Sequence, residues 1–265
     1  MPPFSDIEIS TPKFETDGLR FLAFQSQALR RRGEVTLFIP SGQKEARDLP
    51  IALLLHGVLG THWSWALNGG AHRTAQAMID AGEIAPLVLA MPSDGLEGRG
   101  TGYVPHPHAD YETWIVRDVL AATREVVPCV SERSRVFIAG LSMGGFGALR
   151  LGAKYADLFS GVSGHSSATE YDQLGVFVEM LPTRPAVADE AELTALHWMR
   201  AHRDRLPPVR FDCGVDDKLI EPNRALHAAL EAEGIAHEFH EFPGAHSWAY
   251  WEEHLRDTLR FFLGL

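Results

Sequence analysis

The sequence is poor in cysteine, in positive charge and in long apolar runs, and each shortage closes off a class of explanation. Two cysteines in 265 residues, Cys129 and Cys213, are too few for a disulfide scaffold. Both lie in apolar surroundings beside expected element ends, so both are expected to be free and buried. No stretch approaches membrane-spanning length, and the start Met1-Pro2-Pro3-Phe4-Ser5-Asp6 lacks the basic and apolar regions of a secretory signal. A cytoplasmic location with no membrane partner is the expectation. Lys and Arg number 24 against 35 Asp and Glu, and the net charge of −11 is spread along the chain, which argues against a nucleic-acid or anionic-membrane partner. The densest basic run, Arg30-Arg31-Arg32-Gly33, reads as a solvated hairpin connection. Linkers, low-complexity tracts and repeats at a solenoid period are missing too.

What the chain does have is a 45% apolar composition, enough to bury a full core, and the expected organisation is one α/β domain over 1–265. The first strands are expected at 18–24 and 34–40, short and rich in β-formers. Apolar runs without polar alternation then follow at 51–55, 87–91, 136–139 and 209–213, the pattern of parallel strands buried on both faces. Helices are expected near 70–81, 111–126, 144–155, 221–233 and 248–262, and their alternation with the strands predicts a mostly parallel, doubly wound sheet preceded by antiparallel strands. Residues 166–207 break this rhythm, with Pro182, Pro185, Pro207 and Pro208 around a helix-like 189–202. An insertion at the C-terminal end of a strand lies where α/β sites form, so the segment is expected to cap the site.

The chemistry concentrates in Gly140-Leu141-Ser142-Met143-Gly144, between the apolar strand at 136–139 and a small-residue helix. That is the context of a nucleophile elbow: the turn strains the serine backbone, and side chains two positions either side would collide with strand and helix. A serine hydroxyl needs a base, and the base needs an acid to fix its tautomer. His246 lies in a Gly/Pro-containing loop, Phe242 to Trp248, just before an amphipathic helix, whereas its neighbour His240 falls in a strand-like run from His237 to Phe242. His246 is therefore the expected base. Two carboxylates, Asp216 and Asp217, follow the strand ending at Cys213, and spacing leaves both open as the acid. One oxyanion donor is expected to be the amide of Met143; the other belongs to the loop Leu55-His56-Gly57-Val58-Leu59-Gly60-Thr61, with Val58 as the candidate. With His246 neutral as the working base, activity is expected to rise with pH through roughly 6 to 7.

Other polar and aromatic residues call for weaker assignments. His106-Pro107-His108 has a metal-like look, but Pro107 prevents a helical pair and no glutamate or cysteine set completes a shell. No metal and no cofactor are expected, and His106 and His108 are candidates for substrate contact instead. His56 and Trp65, near the oxyanion loop, are further candidates for substrate contact, His56 doubling as a support for that loop.

Taken together, the Leu-His-Gly loop followed by Trp65, Tyr111-Glu112 opening a helix, Gly-Leu-Ser-Met-Gly-Gly, Cys-Gly-x-x-Asp and Gly-x-His-x-Trp resemble the putative-esterase family of the α/β-hydrolase superfamily. That group contains esterase D, S-formylglutathione hydrolase, tributyrin-type esterases, feruloyl esterases and mycolyltransferases. The resemblance implies an α/β-hydrolase fold, a triad of Ser142, Asp217 and His246, and oxyanion amides at Met143 and Val58. S-formylglutathione hydrolases resemble Ser-Gly-Leu-Thr-Cys where this chain has His56-Gly57-Val58-Leu59-Gly60, so a general carboxylesterase acting on a small-molecule ester is expected. An acyltransferase, thioesterase or peptidase on the same elbow, and a non-catalytic binding protein retaining the fold, are the alternatives.

Overall fold

A nine-stranded sheet organises the chain, in a computed structural model that describes residues 2–43, 45–97, 99–178 and 184–264. In chain order the strands are β1 (Phe4–Ile9), β2 (Leu19–Ser26), β3 (Arg31–Phe38), β4 (Ile51–Leu55), β5 (Val88–Pro92), β6 (Pro105–His106), β7 (Ala109–Asp110), β8 (Val136–Leu141), β9 (Gly161–His165), β10 (Val209–Gly214) and β11 (Glu238–Phe242). The short β6 and β7 pair only with each other; the rest run in the order β1-β2-β3-β5-β4-β8-β9-β10-β11. Strands β1 to β3 are antiparallel, and β3 joins β5 antiparallel. From β5 to β11 every pairing is parallel.

The helices are α1 (Ser64–Leu67), α2 (Ala71–Asp80), α3 (Tyr111–Thr113), α4 (Leu120–Val126), α5 (Met143–Lys154), α6 (Ala195–Ala201), α7 (Ile220–Ala232) and α8 (Trp248–Gly264), with a π-helical stretch, Trp114–Val119, joining α3 to α4. They cover both faces of the sheet. Alternate residues of one strand supply the two cores: Ile51, Leu53 and Leu55 of β4 join Phe146 and Leu149 of α5 and Leu226 and Leu230 of α7. Ala52 and Leu54 turn the other way, toward Ala75 and Met78 of α2 and Leu255, Leu259 and Phe262 of α8. Burial on both faces is why β4, β5 and β8 read as unbroken apolar runs.

Two expectations need correction. The hairpin turn between β2 and β3 is made by residues 27–30, with Arg30 at φ +56°, whereas Arg31, Arg32 and Gly33 already lie in β3. Gly33 serves packing there, since a Cβ would sit 2.5 Å from the Trp114 ring. The helix-like 189–202 is split: a 3₁₀ turn, Glu190–Leu193, precedes α6, and Thr194 caps α6 by accepting from the His197 amide at 3.2 Å. Pro182 lies outside the described residues.

The sheet order also locates the site. From β4 the chain moves outward to β5, then returns to place β8 on the other side of β4. The loops leaving β4 and β8 therefore diverge at their C-terminal ends, and such a switch point opens a crevice.

Candidate active site

Ser142 stands at the bottom of that crevice, directly between β8 and α5, at φ +56° and ψ −118°. Non-glycine residues seldom adopt this conformation, and it persists because the surroundings leave no alternative. The Ser142 amide donates to the His165 carbonyl at 2.9 Å, and its carbonyl accepts from Phe146 at 3.1 Å. A Cβ on Gly140 would come within 2.1 Å of the Gly144 carbonyl oxygen, and one on Gly144 within 2.1 Å of the Leu55 oxygen. Both glycines are therefore obligatory for so sharp a passage from strand to helix.

His246, in the loop between β11 and α8, places Nε2 3.0 Å from Ser142 Oγ. Its Nδ1 lies 2.8 Å from Asp217 Oδ2 and 3.0 Å from Oδ1. A carboxylate only accepts, so Nδ1 carries the ring proton and the Nε2 lone pair faces the hydroxyl. Asp217 is buried, and its Oδ1 also accepts from the Leu219 amide at 2.9 Å. Burial alone would raise the Asp217 pKa, but the His246 hydrogen bond and charge, together with the Leu219 amide, outweigh it and hold the carboxyl below its ordinary range. Asp216 is exposed, and its amide donates to the Gly244 carbonyl at 2.9 Å. The two candidates that spacing left open are thus separated by position: one meets His246, the other faces solvent. The loops carrying Asp217 and His246 touch through bare backbone, for a Cβ on Gly214 would fall 2.3 Å from the Gly244 oxygen.

Beside the serine, the loop after β4 comes close enough that a Cβ on Gly57 would sit 3.6 Å from Ser142 Oγ. The Leu59 amide donates to the Arg99 carbonyl at 2.9 Å and the Gly60 amide to the Gly57 carbonyl at 3.1 Å. The Val58 amide takes no part in those bonds. Met143 begins α5, where a helix leaves its first amides without intrahelical acceptors. His56 holds the loop from beneath: its Nε2 accepts from the Asp94 amide at 3.0 Å, so its Nδ1 donates to the Gly57 carbonyl at 2.7 Å. The ring is 1% exposed, so His56 supports the loop and does not reach the cleft.

The cleft above Ser142 encloses about 310 Å³, walled by Trp63, Phe177, His246, Trp248 and Trp251 together with the 57–60 backbone. Phe177 stacks on the His246 ring at 4.2 Å between centroids and 18° between planes, and Trp251 meets the ring edge-on at 4.9 Å. Trp65 is not among these walls. It is 1% exposed, donates from Nε1 to the Leu55 carbonyl at 2.9 Å and packs on Trp248. His106 and His108 are also elsewhere. His106 is buried, with Nε2 3.1 Å from the Thr101 carbonyl, and His108 joins Glu97 and Tyr111 in a separate cluster. The expected substrate contacts at His56, Trp65, His106 and His108 therefore fall outside the cleft lining. Phe177 and Trp251 take that place. Trp251 could have been found as the residue three beyond Trp248 on one helix face; Phe177 carries no local signal.

Behind the cleft, buried Asp212 of β10 accepts from Tyr250 Oη at 2.9 Å and from His165 Nδ1 at 3.0 Å, and pairs with Arg210. His165 Nε2 lies 2.9 Å from Thr258 Oγ1. This network fixes the β9 end whose carbonyl holds the Ser142 amide.

The family described as "Putative esterase" matches residues 26–262. The chain belongs to that family. An acetyl esterase of Caldicellulosiruptor saccharolyticus is 24% identical over 89% of this chain and 94% of its own length. An esterase of Mycobacterium tuberculosis is 25% identical over 86% of this chain, which spans 55% of that longer protein. Among solved structures, a ferulic acid esterase superposes with a TM-score of 0.78 at 22% identity over 98% of both chains. An S-formylglutathione hydrolase from Staphylococcus aureus gives 0.77 at 18% identity, over 98% of this chain and all of the other. The architecture of this esterase is accordingly the α/β-hydrolase fold, and the enzyme hydrolyses ester bonds. No helix among the described residues is long and apolar enough to cross a membrane.

Proposed function

We propose that this esterase is a serine carboxylesterase that hydrolyses small carboxylic esters through Ser142, His246 and Asp217 and an acyl-enzyme intermediate. The observation that carries the reading is the unbroken relay from Asp217 to His246 to Ser142, ending with Nε2 3.0 Å from Oγ on the floor of the cleft. In the first half-reaction Oγ attacks the ester carbonyl while Nε2 takes the hydroxyl proton. Asp217 stabilises the resulting imidazolium without taking its proton. The amides of Met143 and Val58 receive the carbonyl oxygen as it becomes an oxyanion. Collapse of the tetrahedral species expels the alcohol, protonated by His246, and leaves an acyl group on Ser142. Water, deprotonated by His246, then releases the carboxylic acid and restores the hydroxyl.

The volume of about 310 Å³ lies at the lower end of ligand pockets, and its walls are mostly aromatic, which favours a short acyl or compact aromatic group over a long chain. Phe177 belongs to the 166–207 segment, and its stacking on His246 supports reading that segment as a cap over the site.

Labelling with a fluorophosphonate, alongside turnover of p-nitrophenyl acetate, tests the assignment. Wild type is expected to take up one label per chain and to turn over the ester. Ser142→Ala is expected to do neither while keeping its circular dichroism. A folded, unlabelled and inactive wild type would overturn the proposal, as would a labelled Ser142→Ala. Product analysis with an added alcohol acceptor separates hydrolysis from acyl transfer.

A further inference from the structure

Away from the cleft, three donor side chains converge where α7 meets the start of β11. His227 and Glu231 are four residues apart on α7 and so share a face, while His237 immediately precedes β11. Ligand-capable atoms of the three all lie within 4.8 Å of one another. His227 Nδ1 and His237 Nε2 are 2.8 Å apart. The orientation of His237 is fixed from behind, because its Nδ1 donates to the Ile235 carbonyl at 2.8 Å, leaving the Nε2 lone pair directed at His227. Phe211 stacks on the His237 ring at 15°, and Phe239 lies 4.9 Å from the His227 ring. Imidazoles held by a backbone carbonyl at the outer nitrogen and by packing on the ring are the kind that bind metals without further ordering.

We infer that His227, Glu231 and His237 form a binding site for a divalent transition ion, with zinc the preferred occupant. Two imidazoles and one carboxylate suit zinc and its neighbours, whereas magnesium and calcium take oxygen donors. Zinc–nitrogen bonds of about 2.0 to 2.1 Å place two ligand nitrogens about 3.3 Å apart in a tetrahedral shell. The His227 to His237 separation therefore has to open by only about half an ångström, a small ring rotation. Binding also moves the His227 proton from Nδ1 to Nε2, so both rings stay neutral and present lone pairs. Water completes the shell at the half-exposed face. The nearest cation on the helix, Arg224, is engaged by Glu221 and Glu241 and offers little repulsion.

The ion ties helix to strand at the end of the sheet opposite the cleft. His237 precedes the first residue of β11, whereas His246 follows its last, and Asp217 precedes α7. The expected role is a clip that stabilises the fold by mass action, without entering the reaction.

Calorimetric titration of the tag-free, chelator-stripped chain with zinc chloride tests the site, with magnesium chloride as the control. One zinc per chain is expected at a Kd of about 10 µM or tighter. Zinc at a hundredfold excess over Kd should raise the thermal midpoint by about 5 °C, and magnesium should not. In H227N/H237N the zinc affinity should fall at least tenfold while ester turnover stays at the wild-type level. Absence of zinc binding to wild type at 100 µM, or unchanged stoichiometry and affinity in the double variant, would refute the inference. Should the double variant fail to fold, the exposed Glu231→Gln serves: a tenfold loss of affinity supports the site and an unchanged affinity overturns it.

Discussion

Ser142 is held by its neighbours in a backbone conformation that costs about 1 to 3 kcal/mol, and the two carboxylates near His246 show how finely the remaining geometry is divided. Asp217 is buried against Nδ1, while Asp216, one residue earlier, is exposed. Asp217→Asn is expected to lower kcat by roughly 10³- to 10⁴-fold, because the amide leaves the imidazole free to take the wrong tautomer. Asp216→Asn should leave kcat within about twofold of wild type, since surface substitutions away from special features have small effects. Steady-state kinetics on the two variants checks both, and equal losses would remove the distinction. Because the Asp217 carboxyl is held below its ordinary range, it stays ionised to lower pH than an ordinary carboxyl. Asp217 is therefore expected to add no second proton to the acid limb of log kcat/KM against pH, which should keep a slope of one through the ordinary carboxylate range. A slope of two there would show a second group titrating. Ser142 and His246 were legible in the sequence because a nucleophile elbow demands glycines at fixed spacing and a loop histidine stands out from strand neighbours. Asp217 was legible only through a family resemblance, since two adjacent carboxylates on one loop have no local feature that tells them apart. The expected substrate contact at Trp65 lies outside the cleft lining: Trp65 turns into the core to meet the Leu55 carbonyl, a contact between residues ten apart that spacing does not reveal.

At the level of elements, the strands buried on both faces and the long amphipathic helices could be read directly, because apolar runs and 3.6-residue periodicity are local. Strand β9 could not. Its sequence, Gly161-Val162-Ser163-Gly164-His165, has little apolar content, yet every residue is buried. Small side chains are needed there: a Cβ on Gly164 would lie 2.4 Å from Ser167 Oγ, and Ser163 hydrogen-bonds Thr258 across the packing layer. The start of the helical stretch at Tyr111 is tied to α5 by another long-range contact. Buried Glu112 accepts from Arg150 and Tyr155 and pairs with Lys154 at 2.7 Å. Burial would raise the Glu112 pKa, but Arg150, Lys154 and Tyr155 together hold it down. Glu112→Gln should cost about 3 to 5 kcal/mol of unfolding free energy, because it leaves the buried Arg150 guanidinium uncompensated. Turnover per folded molecule should be unchanged. Urea denaturation followed by active-site titration checks both parts, and a loss below about 1 kcal/mol would mean that solvent or Lys154 replaces the pair.

Over the whole molecule, the network around Asp212 links β9, β10 and α8 across the sheet and is expected to contribute to the response to acid. Burial pushes the Asp212 carboxyl up, but His165 and Arg210 pull it further down, to about 2 against an ordinary 3.8. A carboxyl depressed in the folded state contributes stability that is fully present above the unfolded pKa, near 4, and is lost as pH falls toward 2. The contribution is on the order of 2 kcal/mol. Unfolding free energies measured from pH 5 down to pH 2.5 should therefore fall more steeply in wild type than in Asp212→Asn, which lacks the titrating group. Parallel slopes in the two would place the acid sensitivity elsewhere.

The position of the His246 loop, between β11 and α8, also has a consequence for the chain during its synthesis. The Ser142 elbow draws on β4, β8, α5 and the end of β9, but His246, the base proposed for it, is 104 residues further along and meets Trp251 of α8. On the proposed mechanism, a nascent chain that stops short of His246 carries the hydroxyl without its base. Ester turnover by the proposed triad is therefore expected only after α8 has been made and has docked.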